Sequence, residues 1–549
     1  MTNEDRTDRQ RHLVVSLARV LGSQDGPAQI FETHISWVLV AGKFAWKLKK
    51  AVRFDFLDFS TLDARRFFCH EELRLNRRLA PEIYIDVVPV TGTPDRPEMG
   101  GSGIPVEYAV KMRAFEQDAL WSHRIPCKLL TPGEIDDLAE KIARFHQNTA
   151  RAMEHTAWGT PAVLQATADE NLALIRNLIV DDNERQWISE LTTWDGAQRH
   201  QLHDIFAHRK VSGCIRECHG DLHGGNIVTV DRGVQAFDCI EFNDSLRWID
   251  VMNDIAFTCM DLRFQGRGNL AARFLNRYLG QTGDYAGLSV LRYYEIQRAL
   301  VRAKIALLRE CQQDESDSGQ SSHAYLEYAI SGIQPKPPSL MITHGFSGCG
   351  KTTFAERVVE LAGAVQLRSD VEHKRIRGLA ATDRMLSALD GGLYDCDTTR
   401  LTYQHLLDLT KQVVQAGWTA IVDAAFLKKE QRMEFADLAA GLGVPFFIFD
   451  IRANLATMRS RIVARTRLER DASDAGLDVL DQQLVRHEPL SDDEASRAIT
   501  VDMENGFDRD ALQYLFQNWP QDGVDMPHAD GSIRQYDESR RGPTSPSAR

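Results

Sequence analysis

The 549-residue chain has little of what marks an exported, metal-stapled or membrane-bound protein. Its nine cysteines are scattered, no two form a CxxC pair, and the closest are Cys214 and Cys218. That spacing gives neither a zinc ribbon nor a disulfide framework, and free thiols in a reducing cytosol are expected. No run of about 18 apolar residues occurs, so no transmembrane helix is expected. The first residues, MTNEDRTDRQRHLVV, lack the apolar core of a signal peptide. Localisation is therefore read as cytoplasmic. Positive charge is also short: 65 Lys and Arg stand against 78 Asp and Glu, a net −13. Aromatic and basic residues do not interleave. Both features count against nucleic acid or an anionic membrane as partner. There is no internal repeat, and composition carries no signal of oligomeric state.

What is present is ordinary globular material, 43% hydrophobic and 26% charged, enough for two to four domains. HISWVLVAGKFAWKLKK (34 to 50) reads as a hairpin turning at Ala41-Gly42-Lys43, with Val38, Val40, Phe44, Trp46 and Leu48 on alternating positions. A helix is expected over 63 to 80, and strands over 83 to 90 and 106 to 115. Residues 131 to 210 read as mostly helical. NIVTV and VQAFDCIEF read as short strands, and SLRWIDVMNDIAFTCMDL and LRYYEIQRALVRAKIALLREC as helices. QQDESDSGQSS (312 to 322) reads as a mobile loop and IQPKPPS (333 to 339) as a linker. From Leu340, four apolar strands alternate with helices, which predicts a parallel sheet covered on both faces. The expected division is a domain over 1 to 332, the linker 333 to 339, a second domain over 340 to 520, and a disordered tail over 521 to 549.

The sharper chemical signal lies in the second domain. Gly345-Phe-Ser-Gly-Cys-Gly-Lys-Thr352 fits GxxxxGK[ST] between an apolar strand and a helix that begins at Lys351. Glycines at 345, 348 and 350 let backbone N–H groups, including those of Ser347 and Cys349, converge on phosphate oxygens. The helix N-terminus, with Lys351, Thr352 and Thr353, adds its dipole, and the Lys351 ammonium reaches the β- and γ-phosphates. The Thr352 hydroxyl suits Mg²⁺. Cys349 reads as a tolerated small residue rather than a redox switch. Asp370, at the end of the next strand in LRSD, is placed to take a proton from a substrate hydroxyl or to cap the following helix. Asp423, ending a further strand, is a candidate for Mg²⁺ or its waters. Six arginines crowd 452 to 470: Arg452, Arg459, Arg461, Arg465, Arg467 and Arg470. Arg461 and Arg465 share a helix face, as a lid over a moving phosphoryl group or as a solvated charged helix. This half resembles the small P-loop kinases, the group of gluconate kinase, polynucleotide kinase and the zeta toxins, over roughly 340 to 520. That resemblance implies transfer of phosphate to a hydroxyl.

The first domain carries HGDLHGGN (219 to 226). A kinase of the protein-kinase type needs a base for the acceptor hydroxyl, a metal-binding amide close by, and a metal-binding acid after a short hairpin. Asp221, Asn226 and Asp238 meet that order. Upstream, a strand lysine must hold phosphates and pair with a helix carboxylate. Lys47 fits, with Lys49 as its same-face alternative, and Glu72 fits, with Glu71 as its rival. His219 and His223 are four apart, but the loop glycines favour His219 as a fastener over a metal ligand. Asp250 and Asp254 read as support for the loop from one face of a helix.

HGDLHGGN with FDCIEF resembles the aminoglycoside phosphotransferase and choline kinase superfamily, itself similar in fold to protein kinases, over about 30 to 310. The chain departs from protein kinases in having no G-x-G-x-x-G over the phosphates. With ETHISWV, WKLKK and FLDFS near the start, the order of the two halves resembles bacterial bifunctional aminoglycoside phosphotransferase/ATP-binding proteins. The resemblance implies a bilobal α+β kinase-like domain followed by an α/β P-loop domain, with ATP and Mg²⁺ as cofactors and a small hydroxyl compound such as a sugar, aminoglycoside-like compound or polyol as substrate. Two other readings remain open here: one nucleotide site regulating the other, or a nucleic-acid-end kinase in the P-loop half.

Overall fold

A computed structural model describes residues 3–22, 28–54, 57–311, 321–379, 396–468, 476–496 and 498–504. The expected tail (521 to 549) and nearly all of the expected loop at 312 to 322 lie outside these residues. The chain divides into two compact units, residues 1–278 with 290–334, and 279–289 with 335–549. The segment 279–289 thus groups with the second unit, where the sequence placed it in the first.

The first unit opens with a helix, Asn3–Leu21, that the charged N-terminus concealed. An antiparallel six-stranded sheet follows in the spatial order Gln29–Glu32, Ser36–Ala41, Phe44–Lys49, Glu107–Arg113, Tyr84–Thr93, Arg96–Met99. Leu13, Val14 and Leu17 of the helix pack on Trp37, Leu39, Trp46 and Leu48. The opposite sheet face, with Ala45 and Val110, packs on Cys69 and Leu73 of the helix Leu62–Asn76. The hairpin turns at Gly42-Lys43, with Ala41 opposite Phe44 and Val38 opposite Lys47. Directly opposed residues share a face, so Val38 and Val40 lie with Ala45 and Lys47, not with Trp46 and Leu48. The simple alternation expected for the hairpin therefore changes parity at the turn. Strand period then sends Lys47 and Lys49 together toward the helix that carries Glu72.

The rest of this unit is helical. Its core joins the helices Pro161–Leu178, Asp182–Val211, Val251–Phe264, Leu288–Cys311 and Ser322–Gly332 through residues such as Leu172, Leu191, Phe257, Ile296 and Leu326. The helix Pro132–Asn148 starts with a reciprocal Thr131–Glu134 cap and proline in its first turn. Two small hairpin-like pairs, Ile227–Val230 with Gly233–Ala236 and Ile215–Glu217 with Trp248–Asp250, frame the HGDLHGGN loop.

In the second unit, five parallel strands run in the order Val365–Arg368, Ala420–Asp423, Leu340–His344, Phe446–Arg452, Ala498–Asp502. The fifth strand was not expected. The Leu340–His344 strand is buried along its whole length, as a central strand covered by helices must be. The phosphate-type loop leaves its carboxyl end, where open α/β sheets place ligands. Among the described residues no helix is long and apolar enough to cross a membrane.

Candidate active sites

In the first unit a cleft of about 2440 Å³ is lined by Val38, Val40 and Lys47 from the sheet and by Asp221, Asn226 and Asp238 from the loops. It exceeds the roughly 300–1,000 Å³ of a single small-ligand pocket, so it has room for a nucleotide and an acceptor together.

The loop is fixed in detail. Asn226 Nδ2 donates to the Asp221 carboxylate (2.8 Å) and to its carbonyl (2.9 Å). His223 Nδ1 accepts from the Gly225 amide (3.0 Å), and its Nε2 lies 3.3 Å from the same carboxylate. Burial would raise the Asp221 carboxyl, but His223 outweighs it and holds the group well below the usual carboxylate range. Gly220 has φ +86°, and a Cβ there would lie 2.7 Å from the Leu246 carbonyl oxygen. His219 sends Nε2 to the Phe237 carbonyl (2.9 Å) and accepts the Asp221 amide on Nδ1 (3.3 Å), so it is a fastener as expected from sequence.

Beneath the loop lies one face of the helix Val251–Phe264. Asp254 accepts the amides of His219 (3.0 Å) and Gly220 (2.8 Å), Thr258 donates to the Leu222 carbonyl (2.7 Å), and Asp261 accepts the Gly224 amide (2.7 Å). The spacing 254, 258, 261 is one helical stripe. Sequence reasoning found Asp254 but not its two companions; the i, i+4, i+7 polar pattern inside an otherwise apolar helix was the available signal. Asp250 differs from the reading given it. It ends a strand, caps this helix at the Met252 amide and pairs with Arg209 (2.6 and 2.8 Å), so it supports the helix and not the loop. Asp254 also meets His146 Nε2 (3.1 Å), whose Nδ1 contacts Tyr278. His146, Cys218 and Asp254 sit close enough to hold a metal, but the imidazole has both nitrogens engaged.

The second cluster links sheet and loop. Lys47 Nζ lies 3.0 Å from Glu72 and 2.5 Å from Asp238. Lys49 Nζ lies 2.7 Å from Glu72 and also contacts Glu241. Both lysines that the sequence left as alternatives thus share one carboxylate, and Glu71 is excluded because it turns outward to Arg74 (2.8 Å). Glu241, three residues after Asp238, escaped the sequence reading; it is the acid of FDCIEF that the second lysine of WKLKK requires. Burial would raise the Glu72 carboxyl, yet the two ammonium groups hold it down to about 2. Burial pushes Glu241 up despite Lys49. Two cations therefore face three carboxylates. Glu72 and Glu241 are sealed from solvent, whereas the Asp238 side chain is 41% exposed. The surplus negative charge is displayed at Asp238, on the cleft, in a backbone conformation (φ +61°) rare for a side-chain-bearing residue. Such a surplus fits a divalent cation.

The second unit brings together most of what its sequence promised. Gly345, Gly348 and Gly350 all have positive φ, and a Cβ on Gly348 would lie 2.6 Å from the Met458 carbonyl oxygen. Lys351 opens the helix Lys351–Ala362 and rests its Nζ on the Phe346 carbonyl (2.8 Å). The Ser347 amide meets Gln483 (2.8 Å). Cys349 is buried and its thiol pushed up, which suits a small packing residue. Thr352 bonds the buried Asp423, which also accepts from Gln366 (3.0 Å); burial raises its carboxyl, with Arg368 and Lys351 opposing. Thr353 is exposed on the helix. Asp370 does not end a strand. The strand stops at Arg368 and Asp370 is the second residue of the helix Ser369–Ile376, where an anion favours the dipole. It is not the N-cap, which is Arg368.

The arginine lid needs correction. Arg461 donates to the carbonyls of Cys349 (3.2 Å) and Met503 (3.0 Å), tying the phosphate-type loop to the chain just past the fifth strand. Its helix turns this position inward beside buried Met458 and Ile462, so the guanidinium braces the loop. Arg452 pairs with Asp450 and Arg459 with Asp481. Arg465 is half-buried one turn on. The Arg467 side chain and Arg470 lie outside the described residues. Two bonds worth about 0.5–1.5 kcal/mol each predict that Arg461→Ala weakens nucleotide binding at this loop about tenfold. A MgADP titration of a chain whose first site is disabled by Lys47→Met checks this, and an unchanged affinity would reject the brace.

Comparison with known proteins agrees with both halves. A family model described as "Phosphotransferase enzyme family" matches residues 118–291, and one described as "AAA domain" matches residues 340–490. Uncharacterized proteins of Mycobacterium tuberculosis (Rv2004c) and Mycobacterium bovis (Mb2027c) are each 32% identical over 445 residues, 80% of this chain and 87% of theirs. Among solved structures, a choline/ethanolamine kinase family protein from Mesorhizobium loti covers 60% of this chain and 93% of its own, at 13% identity and TM-score 0.37. A sugar kinase from Janibacter covers 33% of this chain and 94% of its own, at 20% identity and TM-score 0.24.

Proposed function

From the premise that the chain belongs to the family of these mycobacterial proteins and is a kinase-type phosphotransferase with a phosphotransferase domain before a P-loop kinase-like domain, we propose that it carries two ATP sites and moves the γ-phosphoryl of ATP to a hydroxyl of a small molecule. The observation that carries this reading is the meeting, in one cleft, of the Lys47–Glu72–Asp238 cluster with the Asp221–Asn226 loop.

Lys47 would hold nucleotide phosphates, with Glu72 fixing its direction. Asn226 and Asp238 would hold Mg²⁺, which when bound neutralises charge on the phosphates during transfer. Asp221 stays ionised at neutral pH, so it accepts a hydrogen bond from the acceptor hydroxyl and aims its oxygen. A strong base is not required, because a loose phosphoryl transition state leaves the hydroxyl proton in place until late. Positioning and charge therefore supply most of the rate. In the second unit the 345–352 loop would cradle phosphates, Lys351 would leave the Phe346 carbonyl for them, and Thr352 with Asp423 would hold the metal. Asp370 is the acid proposed for the acceptor side.

The test is product formation from MgATP and a panel of sugars, sugar acids, aminoglycosides, polyols and nucleosides, read by mass spectrometry. Wild type is compared with Asp238→Ala and Lys351→Ala, one substitution per site. Loss of a different product in each variant is expected. If Lys351→Ala removes every product and Asp238→Ala removes none, the first unit is not a kinase.

A further inference from the structure

The cleft continues past Asp221 along the helix Leu288–Cys311, and its charges there are unusual. The fully buried cations of this unit are paired with carboxylates, among them Arg209 with Asp250 (2.6 Å), Arg65 with Glu107 (2.9 Å) and Lys49 with Glu72 (2.7 Å). That is what desolvation demands of them. Arg298 and Lys304, half-buried on the cleft wall, have no such pair. Arg298 sends Nε to the Asn253 carbonyl (3.2 Å) and lays its guanidinium over the Phe257 ring (4.9 Å). Its Nη2 is buried without a hydrogen-bond partner. Lys304 gives its ammonium to the neutral amide oxygen of Asn171 (2.5 Å). Among the described residues neither has a carboxylate within ion-pair distance. Burial lowers both pKa values, for Arg298 against the pull of Asp254 and Asp221 and for Lys304 against that of Glu170. The pull of Asp221 places Arg298 within the field of the catalytic loop.

Two half-buried cations without an ion-pair partner, lining the same cleft, favour a ligand that brings negative charge. The ligand has to be an anion. A cationic acceptor would need carboxylates or open aromatic faces, and this wall sets one carboxylate against three cations. The carboxylate lining this end is Glu170, on the exposed side of its helix, against Arg298, Lys304 and Arg309. The aromatic rings are spent: Trp248 stacks on Trp158 (4.7 Å), and Tyr293 and Tyr294 are buried against Phe206.

We propose that the acceptor taken by the first unit is an anionic hydroxyl compound, whose carboxylate or phosphate is bound by Arg298 and Lys304 while its hydroxyl faces Asp221. This rests on the kinase reading of that cleft and narrows its substrate class. Arg298 and Lys304 are then specificity residues. A guanidinium can meet either oxyanion with two parallel donors, and the flexible ammonium adds a second point of charge. Repulsion excludes amines from the same wall.

Equilibrium dialysis of the full chain tests this, with Lys351→Ala silencing the second unit and MgADP present. Four labelled probes share one hexose skeleton: glucuronate, glucose 1-phosphate, glucose and glucosamine. At least one anion is expected to be held about tenfold more tightly than glucose, with glucosamine weakest. Whichever of the two anions binds tells carboxylate from phosphate. Lys304→Gln and Arg298→Gln should each remove about tenfold of the anion's advantage, and Lys304→Arg should keep it. A thermal melt of each variant separates lost charge from lost fold, and Lys304→Gln, at the milder site, stands in if Arg298→Gln does not fold. Glucosamine held as tightly as the anions, anion binding indifferent to Lys304→Gln, or no probe held by a chain that binds MgADP would each overturn the proposal while leaving the kinase reading intact. Failure of that reading looks different: MgADP retention would be absent, or unaffected by Lys47→Met.

Discussion

Asp221→Asn is expected to lower turnover at the first site by about 10²–10⁴-fold, with nucleotide affinity within about twofold of wild type. The substitution keeps the side chain's size and one acceptor oxygen, and removes the charge proposed to aim the acceptor hydroxyl and finally take its proton. The two effects separate because Lys47 and the carboxylates that hold it do not touch Asp221; of the residues proposed for the nucleotide side only Asn226 does, and an asparagine at 221 keeps an acceptor oxygen for it. Lys47 is held by Glu72 and Asp238, while Asp221 is held by Asn226 and His223. The product assigned to Lys351 should be unchanged. The pH profile gives a second readout. Burial raises the Asp221 carboxyl, but His223 overrides it and holds the group well below its ordinary value, so it remains ionised through and below the usual carboxylate range near pH 4. The acid limb of kcat/KM for this product is therefore expected below about pH 4, as far as the protein stays folded. An acid limb that disappears on His223→Gln would transfer the role to the imidazole. A fall of less than about tenfold in Asp221→Asn would remove Asp221 from the mechanism.

Much of both sites could be read from residue order because loops that bind phosphate or metal are short and local. The 345–352 loop and HGDLHGGN each carry their own geometry, in glycines whose φ no other residue adopts cheaply and in side chains five or fewer residues apart. What lay further apart was less legible. Strand period puts Lys47 and Lys49 on one face, and sequence alone cannot say which reaches deeper; the fold uses both, with Glu241 as the partner that balances the second. Arg461 shows the limit differently. Its charge suggested a ligand, but its direction depends on which side of its helix meets the sheet, and that side faces the Cys349 carbonyl. Arg298 and Lys304 sit in an amphipathic helix where cations are commonplace, and what makes them notable is that, among the described residues, no carboxylate lies within ion-pair distance of either. The helix Asn3–Leu21 was hidden because its first ten residues are all polar and its apolar face begins at Leu13. Asp370 missed by two residues, the usual uncertainty where a strand hands over to a helix.

Asp254→Ala should be the most damaging substitution for the fold of the first unit, at roughly 3–5 kcal/mol. The carboxylate is fully buried and accepts three donors at once: the His219 amide, the Gly220 amide and the His146 ring. Alanine would leave all three in a dry interior, and each orphaned donor costs about 1–3 kcal/mol. Two of the three belong to the loop that positions Asp221, so the loss is local before it is global. Amide hydrogen exchange at His219 and Gly220 should accelerate far more than in the Leu288–Cys311 helix, and denaturant unfolding should give the total. Asp254→Asn keeps one oxygen acceptor and should fall between. The charge itself has a pH signature. Burial raises this carboxyl, but the His146 contact and the loop outweigh it and lower the group from 3.8 to about 2. A group whose folded pKa is depressed stabilises fully above its unfolded value and loses that stability as pH falls through the folded one. The gap between wild type and Asp254→Asn should therefore be flat from pH 7 to about 5, then shrink by on the order of 2 kcal/mol between about pH 4 and pH 2. A gap that stays constant to pH 2, or an Asp254→Ala chain as stable as wild type with slow exchange at Gly220, would mean that the loop is held by its glycine turns and His219 rather than by the helix beneath it.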